Sequence, residues 1–275
     1  MAKLDRLGWA AGRAVISHGV RIGVRVTDAD ALPEVLERLP PGWREAPSPV
    51  VSELFSLVVG GSARGGVRKL SLAYRCSGLF ARGKDLQPVL EALQAAIRIC
   101  VAERAPRRVF VHAGVVGFRG RAILIPGVSF SGKSTLVEAL VRAGARYYSD
   151  EFAVLDRKGR VHPFRAPLAL RGPDGRAARL LAPAELDPDE RATPLPVGVV
   201  AMSRYRPGAR WRPRALSPGR GTLALLGHTV PARRDPRRSL ATLRRVAASA
   251  RVLQGSRGEA DETARLLLAG VAERG

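Results

Sequence analysis

GVSFSGKST, residues 127–135, decides how the rest of the chain is read. It satisfies the spacing G-x-x-x-x-G-K-[ST]. Before it runs AILI (122–125), a short apolar stretch that reads as a strand. After it runs TLVEALVRAGA (135–145), with Leu136, Val137, Leu140 and Val141 on one helical face. Strand, glycine turn and helix in that order are what a phosphate loop requires. Gly127 and Gly132 let successive N–H groups turn inward, and the positive end of the following helix arrives at the same point. Gly127, Ser129, Ser131, Gly132, Lys133, Ser134 and Thr135 are therefore the expected binding set for a nucleoside triphosphate, taken as ATP. In this pattern Lys133 reaches the β and γ phosphates, and the Ser134 hydroxyl ligates the Mg²⁺ that neutralises charge on them.

The segments around the loop are unusual for a nucleotide-binding domain. RVFVHAGVVGF (108–118) and AILIPG (122–127) are joined by the turn RGR, which is too short for a parallel crossover. They are expected as an antiparallel hairpin leading straight into the loop. After the loop, the helix is expected to end at Gly144. RYYSDEFAVLD (146–156) follows, a strand-like stretch with Asp150 and Glu151 in its middle. Two carboxylates shortly after a phosphate loop suit a cation, and a carboxylate near a γ-phosphate can take the proton of an attacking hydroxyl.

At 275 residues and 46% hydrophobic content, the chain can bury a real core. No apolar run reaches the roughly 18 residues a membrane span needs. The N-terminal stretch MAKLDRLGWAAGRAVISHG is broken by Asp5, Arg6 and Arg13 and lacks the apolar run of a secretory signal. The expectation is a soluble cytoplasmic protein with no membrane partner. Cys76 and Cys100 have no metal-binding spacing and read as packing residues. The net charge of +22 invites nucleic acid, but five of the 46 basic residues are lysines and the arginines are spread along the whole chain. Two dense stretches, RYRPGARWRPR (204–214) and ARRDPRR (232–238), read as solvated loops. That argues against nucleic acid and leaves an acidic peptide compatible with the charge.

Upstream, VISHGVRIGVRV (15–26) reads as a strand or hairpin interrupted at Gly19 and Gly23. A short helix is expected near 29–39, strands at PVVSELFSLVV (49–59) and KLSLAYRC (69–76), and a long amphipathic helix over 85–104. Residues 1–105 thus form an expected N-terminal α+β domain, with 106–275 as the second domain of an α/β protein. Beyond the acidic pair, 172–196 reads as loop and VGVVAMSRY (197–205) as a strand. Two closing helices are expected, one from the Asp235–Pro236 cap to about Ala250 and one from about Asp261 to Arg274. Their apolar stripes read as Leu240, Leu243 and Val246, and as Leu266, Leu267 and Val271. His162 and His228 have no evident partner.

The run VHAGVVGFRGRAILIPGVSFSGKSTLVEALVRAGARYYSDEFAVLD (111–156) resembles the catalytic core of the HPr kinase/phosphorylase family. It is closer still to the HPr-kinase-related proteins found beside peptide-modifying genes. That family shares its catalytic fold with phosphoenolpyruvate carboxykinase. The elements that carry the likeness are a histidine in the strand before the loop (His112), the loop itself, and the acidic pair after its helix. The resemblance is strong over 109–164 and weak elsewhere. It implies a P-loop kinase core in which Asp150 is the general base and Glu151 and Ser134 hold Mg²⁺, with the two carboxylates exchangeable in role. It also implies that His112 orients Asp150. Arg165 and Arg171 follow this core, and since an arginine near the transferred phosphate would stabilise developing charge, Arg171 is a further catalytic candidate. The activity implied is ATP- and Mg²⁺-dependent phosphorylation of a hydroxyl, a serine of a peptide or protein, with a ribosomal peptide product as one acceptor class. A small-molecule kinase and a nucleotide-binding regulator are the alternatives, and a homo-oligomer is left open. The chain carries Asp-Glu where the family has two aspartates, and RAPLALRG (165–172) where true HPr kinases have a longer glycine-containing signature. HPr itself and reverse phosphorolysis are therefore not implied.

Overall fold

The structure is a computed structural model, and it describes residues 4–62, 68–128, 131–172, 177–189 and 192–272. It is a mixed α/β protein with several sheets, whose internal contacts divide into two compact units, Met1–Pro106 and Arg107–Gly275.

The first unit contains β1 (Ala11–Ser17), β2 (Val20–Val26), α1 (Leu32–Glu37), β3 (Arg44–Glu45), β4 (Glu53–Val58), β5 (Gly61–Ser62), β6 (Arg68–Lys69), β7 (Ser71–Arg75), β8 (Gly78–Gly83) and α2 (Leu86–Arg104). Six of these strands form one sheet in the order β3-β1-β2-β4-β7-β8, and β2 and β4 run parallel. Gly23 does not interrupt β2, because it pairs with Ala14 on one side and Leu54 on the other. The long helix buries Val89, Leu90, Leu93, Ile97, Cys100 and Val101, a 3–4 spacing that gives one apolar stripe. Glu53 is buried and held by Arg75 and Arg104. Burial pushes the Cys100 thiol up to about 11, so it packs and does not react.

The second unit follows as β9 (Val109–Phe118), β10 (Arg121–Pro126), α3 (Lys133–Arg142), β11 (Arg146–Ser149), β12 (Phe152–Leu155), β13 (Arg160–His162), β14 (Leu168–Arg171), β15 (Ala177–Leu181), α4 (Pro183–Leu186), β16 (Leu195–Tyr205), β17 (Arg214–Ala215), α5 (Pro218–Leu226), α6 (Pro236–Ser249), β18 (Arg251–Arg257) and α7 (Ala260–Ala272). β9 and β10 are the expected hairpin, turned by Arg119 and Gly120, both at positive φ. β10, β16 and β18 are mutually parallel, and β10 also closes back onto β9. Alternate residues of these strands feed two cores. Val116, Ile123, Ile125, Val199, Ala201 and Leu253 pack under α3 and α7. Val115, Leu124, Val197, Val200 and Val252 pack under α5 and α6. A sheet covered on both faces reads as a near-continuous apolar run, as 122–125 and 197–202 do.

Several elements differ from the sequence reading. The stretch 172–196, read as loop, contains β15 and α4, and β8, α5 and β18 fall where the sequence signals no regular structure. The closing helices bury Leu243, Val246, Leu267 and Val271 as expected, with Thr242, Ala247, Ala264 and Leu268 beside them. Leu240 and Leu266 point to solvent. Among the described residues no helix is long and apolar enough to cross a membrane.

Candidate functional site

The three parallel strands end together, so the turn after β10, the end of β16 and the end of β18 share one edge of the sheet. In open α/β sheets this is where ligands bind. From β10 the chain enters the glycine loop and emerges as α3, whose N-cap is Gly132 at φ +75. That conformation is left-handed and suits glycine. A side chain there would also run into the Arg257 guanidinium. Lys133, Ser134 and Thr135 form the first turn of α3, where main-chain N–H groups lack intrahelical partners and the dipole is positive. Gly114 of β9 leaves room for the stem of Lys133 and for Val137, since a methyl at that position would meet both.

Asp150 and Glu151 occupy a break between β11 and β12, both of which pair with β9. The stretch is therefore not one continuous strand, as its sequence suggested. The break is held by Ser149, whose Oγ accepts from the N–H groups of Glu151 at 3.1 Å and Phe152 at 3.0 Å. Across the loop, Ser134 Oγ donates to Asp150 Oδ2 at 2.7 Å. Residues 16 apart in sequence are brought to one point, and that point is the start of α3.

His112 lies opposite Phe152 in the ladder, with ring centroids 4.8 Å apart. Burial and the nearby Lys133 ammonium hold its imidazole below the usual value, and a hydrogen bond to the main chain of Glu151 works the other way. His112 reaches the acidic turn through that main chain. His228 is likewise depressed by burial and by Lys133. Its carbonyl accepts from the His112 N–H at 2.8 Å. Two neutral imidazoles thus flank the lysine.

Arg257, at the end of β18, is only 2% exposed. It donates from Nη2 to the Gly132 carbonyl at 2.7 Å and from Nη1 to the Gly258 carbonyl at 3.1 Å. Its guanidinium also lies over the Tyr205 ring. A buried cation tied to the loop's last glycine fixes the peptide from which α3 starts.

Beside the loop opens a cleft of about 880 Å³, lined among others by Gly127, Ser131, Arg204, Arg212, Arg214 and His228. Among the described residues, no group of three or more His, Cys, Asp or Glu could hold a metal unaided. A serine hydroxyl beside a carboxylate is nevertheless a hard-oxygen pair of the kind Mg²⁺ takes when phosphates and water fill the remaining positions.

No family model matches the chain, and none of the curated proteins matches it. Among solved structures it is similar to the Hpr(Ser) kinase/phosphatase from Coxiella burnetii, at 15% identity and a TM-score of 0.35, over 60% of this chain and 93% of that one. At that identity and score the likeness settles neither family nor activity.

Of the residues expected in the site, Gly127, Ser131, Gly132, Lys133, Ser134, Thr135, Asp150, Glu151 and His112 lie on the loop, on the acidic turn or on the strand between them. Ser129 lies outside the described residues. Arg171 ends β14, opposite Ala177, and its side chain is likewise outside what is described. Arg165 donates to the carbonyls of Pro183 and Asp187, so it braces a loop. His162 also has a partner, Asp156 at 3.1 Å, within a hairpin. Sequence reasoning missed Arg257 and His228. It also took 204–214 for a solvated loop, although Arg204 and Arg214 stand on strands and Trp211 is buried. The available signal was the end of a parallel strand, visible only once β18 is known to exist.

Proposed function

We propose that the chain is an ATP- and Mg²⁺-dependent phosphotransferase that phosphorylates a hydroxyl, a serine of a peptide or protein. Residues 106–275 form its catalytic domain and 1–105 an accessory one. The observation that carries this is the 2.7 Å hydrogen bond from Ser134 Oγ to Asp150 Oδ2, which joins a phosphate-loop hydroxyl to a carboxylate. A loop that only bound nucleotide would need Lys133 and Ser134. A half-buried carboxylate beside them is what proton removal from an acceptor adds.

In this reading the N–H groups at the start of α3 and the Lys133 ammonium take the β and γ phosphates. Ser134, Asp150 and Glu151 supply oxygens to Mg²⁺, which when bound neutralises charge on the transferred phosphoryl group. Asp150 accepts the proton of the attacking hydroxyl. Neutral His112 buttresses the acidic turn without competing for its charge. Arg257 keeps the Gly132 peptide in the orientation from which the loop presents its N–H groups.

The test is transfer to serine peptides followed by mass, with wild type, Lys133→Ala and Asp150→Asn. The expected result is one phosphate gained by a peptide. Asp150→Asn should still bind ATP while losing about 10²-fold or more in transfer rate, the scale of a lost general base. Binding without transfer to any hydroxyl, or transfer indifferent to Asp150, would leave a nucleotide-binding regulator as the better account.

A further inference from the structure

We propose that the arginine-lined cleft is an acceptor subsite that takes the carboxylate side chains of an acidic peptide. This rests on the kinase reading of the adjoining loop and names its substrate class.

The register of the strands sets the cleft's face. Arg204 pairs with Ser256, and Arg214 pairs with Gln254. Directly paired residues point to the same side of a sheet, as do residues two apart on one strand. Arg204, Ser256, Gln254 and Arg214 therefore share one face, at the end where β10 runs into the phosphate loop. Tyr205 and Arg257 alternate to the other face, where Arg257 meets Gly132. Arg257 thus serves the loop's backbone from one face, while Arg204 and Arg214 stand on the other, and Tyr205 reaches the rim of the cleft.

Those arginines are not neutralised from within. Among the described residues none of Arg204, Arg212 and Arg214 pairs with a carboxylate, and the contact Arg214 makes is to the neutral amide of Gln254 at 2.9 Å. All three are exposed, as a site for a ligand that comes and goes requires. Elsewhere in this unit several arginines do find acids: Arg146 with Asp187, Arg142 with Asp261 and Arg238 with Asp235.

The chemistry favours the acceptor over the nucleotide. The triphosphate already has Lys133 and the N-terminus of α3, which do not line the cleft, and the cleft meets the nucleotide loop only at its border, at Gly127, Val128 and Ser131. A nucleoside base carries no charge to pair with three guanidiniums. Arg204 and Arg214 stand on opposite edges of β18, two strand spacings apart, roughly 10 Å. Charges spread over that span suit successive carboxylates of an extended peptide better than one small anion. Ser256 and Gln254 supply hydrogen-bonding groups between them.

The test is fluorescence anisotropy of a labelled Glu-Asp-Ser-Asp-Glu peptide against its neutral counterpart Gln-Asn-Ser-Asn-Gln, at about 0.15 M salt so that distant surface charge is screened. The proteins are wild type, the cleft variant Arg204→Ala/Arg212→Ala/Arg214→Ala, and a control that removes equal charge from exposed positions elsewhere, Arg233→Ala/Arg237→Ala/Arg244→Ala. Wild type and control should prefer the acidic peptide by about tenfold or more, and the cleft variant should lose that preference. Equal loss in both variants, or no preference in wild type, overturns the subsite. Loss of ATP affinity confined to the cleft variant also overturns it, since the cleft would then belong to the nucleotide. The two proposals fail separately. A preferred acidic peptide that never gains phosphate leaves the subsite and removes the kinase, whereas equal phosphorylation of both peptides does the reverse.

Discussion

The residue that couples the most physics at this site is Gly132. It is left-handed, it caps α3, and its carbonyl takes a hydrogen bond from a buried guanidinium. Gly132→Ala pays the left-handed penalty of about 1–2 kcal/mol and also drives a methyl toward Arg257. It should lower the melting temperature and weaken ATP binding together. Arg257→Met keeps much of the bulk and removes the charge-assisted hydrogen bonds, a loss of about 1.5–3 kcal/mol in stability. The check is chemical denaturation of both variants beside wild type. The histidines add a pH dependence. His112 and His228 are held below their ordinary value of 6.5 by burial and by Lys133, so the unfolded chain takes up protons that the folded chain refuses. Their contribution to stability is complete above pH 6.5 and lost as pH falls toward the depressed values. The melting temperature of wild type should fall over that window, and His112→Asn should flatten the fall.

At the scale of elements, legibility tracked local signal. The β9–β10 hairpin and α3 could be read because turn length and apolar periodicity are short-range. β18 could not. RVLQGSR holds only Val252 as a strong strand former, and it is a strand because β16 and β17 pair with it on both edges. Tertiary pairing overrode weak propensity. α5 carries Gly219 and Gly221, both poor helix formers. It forms where Ser217 caps it, Pro218 starts it, and Gly221 sits closely on Val252. In α6 and α7 only Leu240 and Leu266 were misplaced, and Thr242 and Thr263 are buried by neighbours that no periodicity reveals. Protection should follow pairing. In amide hydrogen exchange, Val199 and Val200, flanked on both edges, should exchange last in the second unit. The β14–β15 hairpin, a separate two-stranded sheet, should exchange early.

For the whole molecule, the composition was legible in amount but not in placement. A net charge of +22 argued for self-repulsion and anionic partners, and it could not say which arginines stand unneutralised beside the loop. Self-repulsion has a consequence of its own. Raising salt from about 0.01 M to 0.1 M shortens the screening length from about 30 to 10 Å, so the melting temperature should rise by a few degrees as long-range repulsion is lost. A flat response would mean that local ion pairs, such as those of Glu53 and Asp187, already balance the field. The central claim is that the loop and the acidic turn together form one Mg²⁺–nucleotide site. Calorimetric titration with ATP, with magnesium and with chelator, tests it most directly in wild type, Lys133→Ala and Ser134→Ala/Asp150→Ala. The account predicts tight binding by wild type only with magnesium, loss of most binding in Lys133→Ala, and a residual magnesium-independent affinity in the double variant. Binding that ignores magnesium in wild type, or that keeps its magnesium dependence without both oxygens, would contradict it.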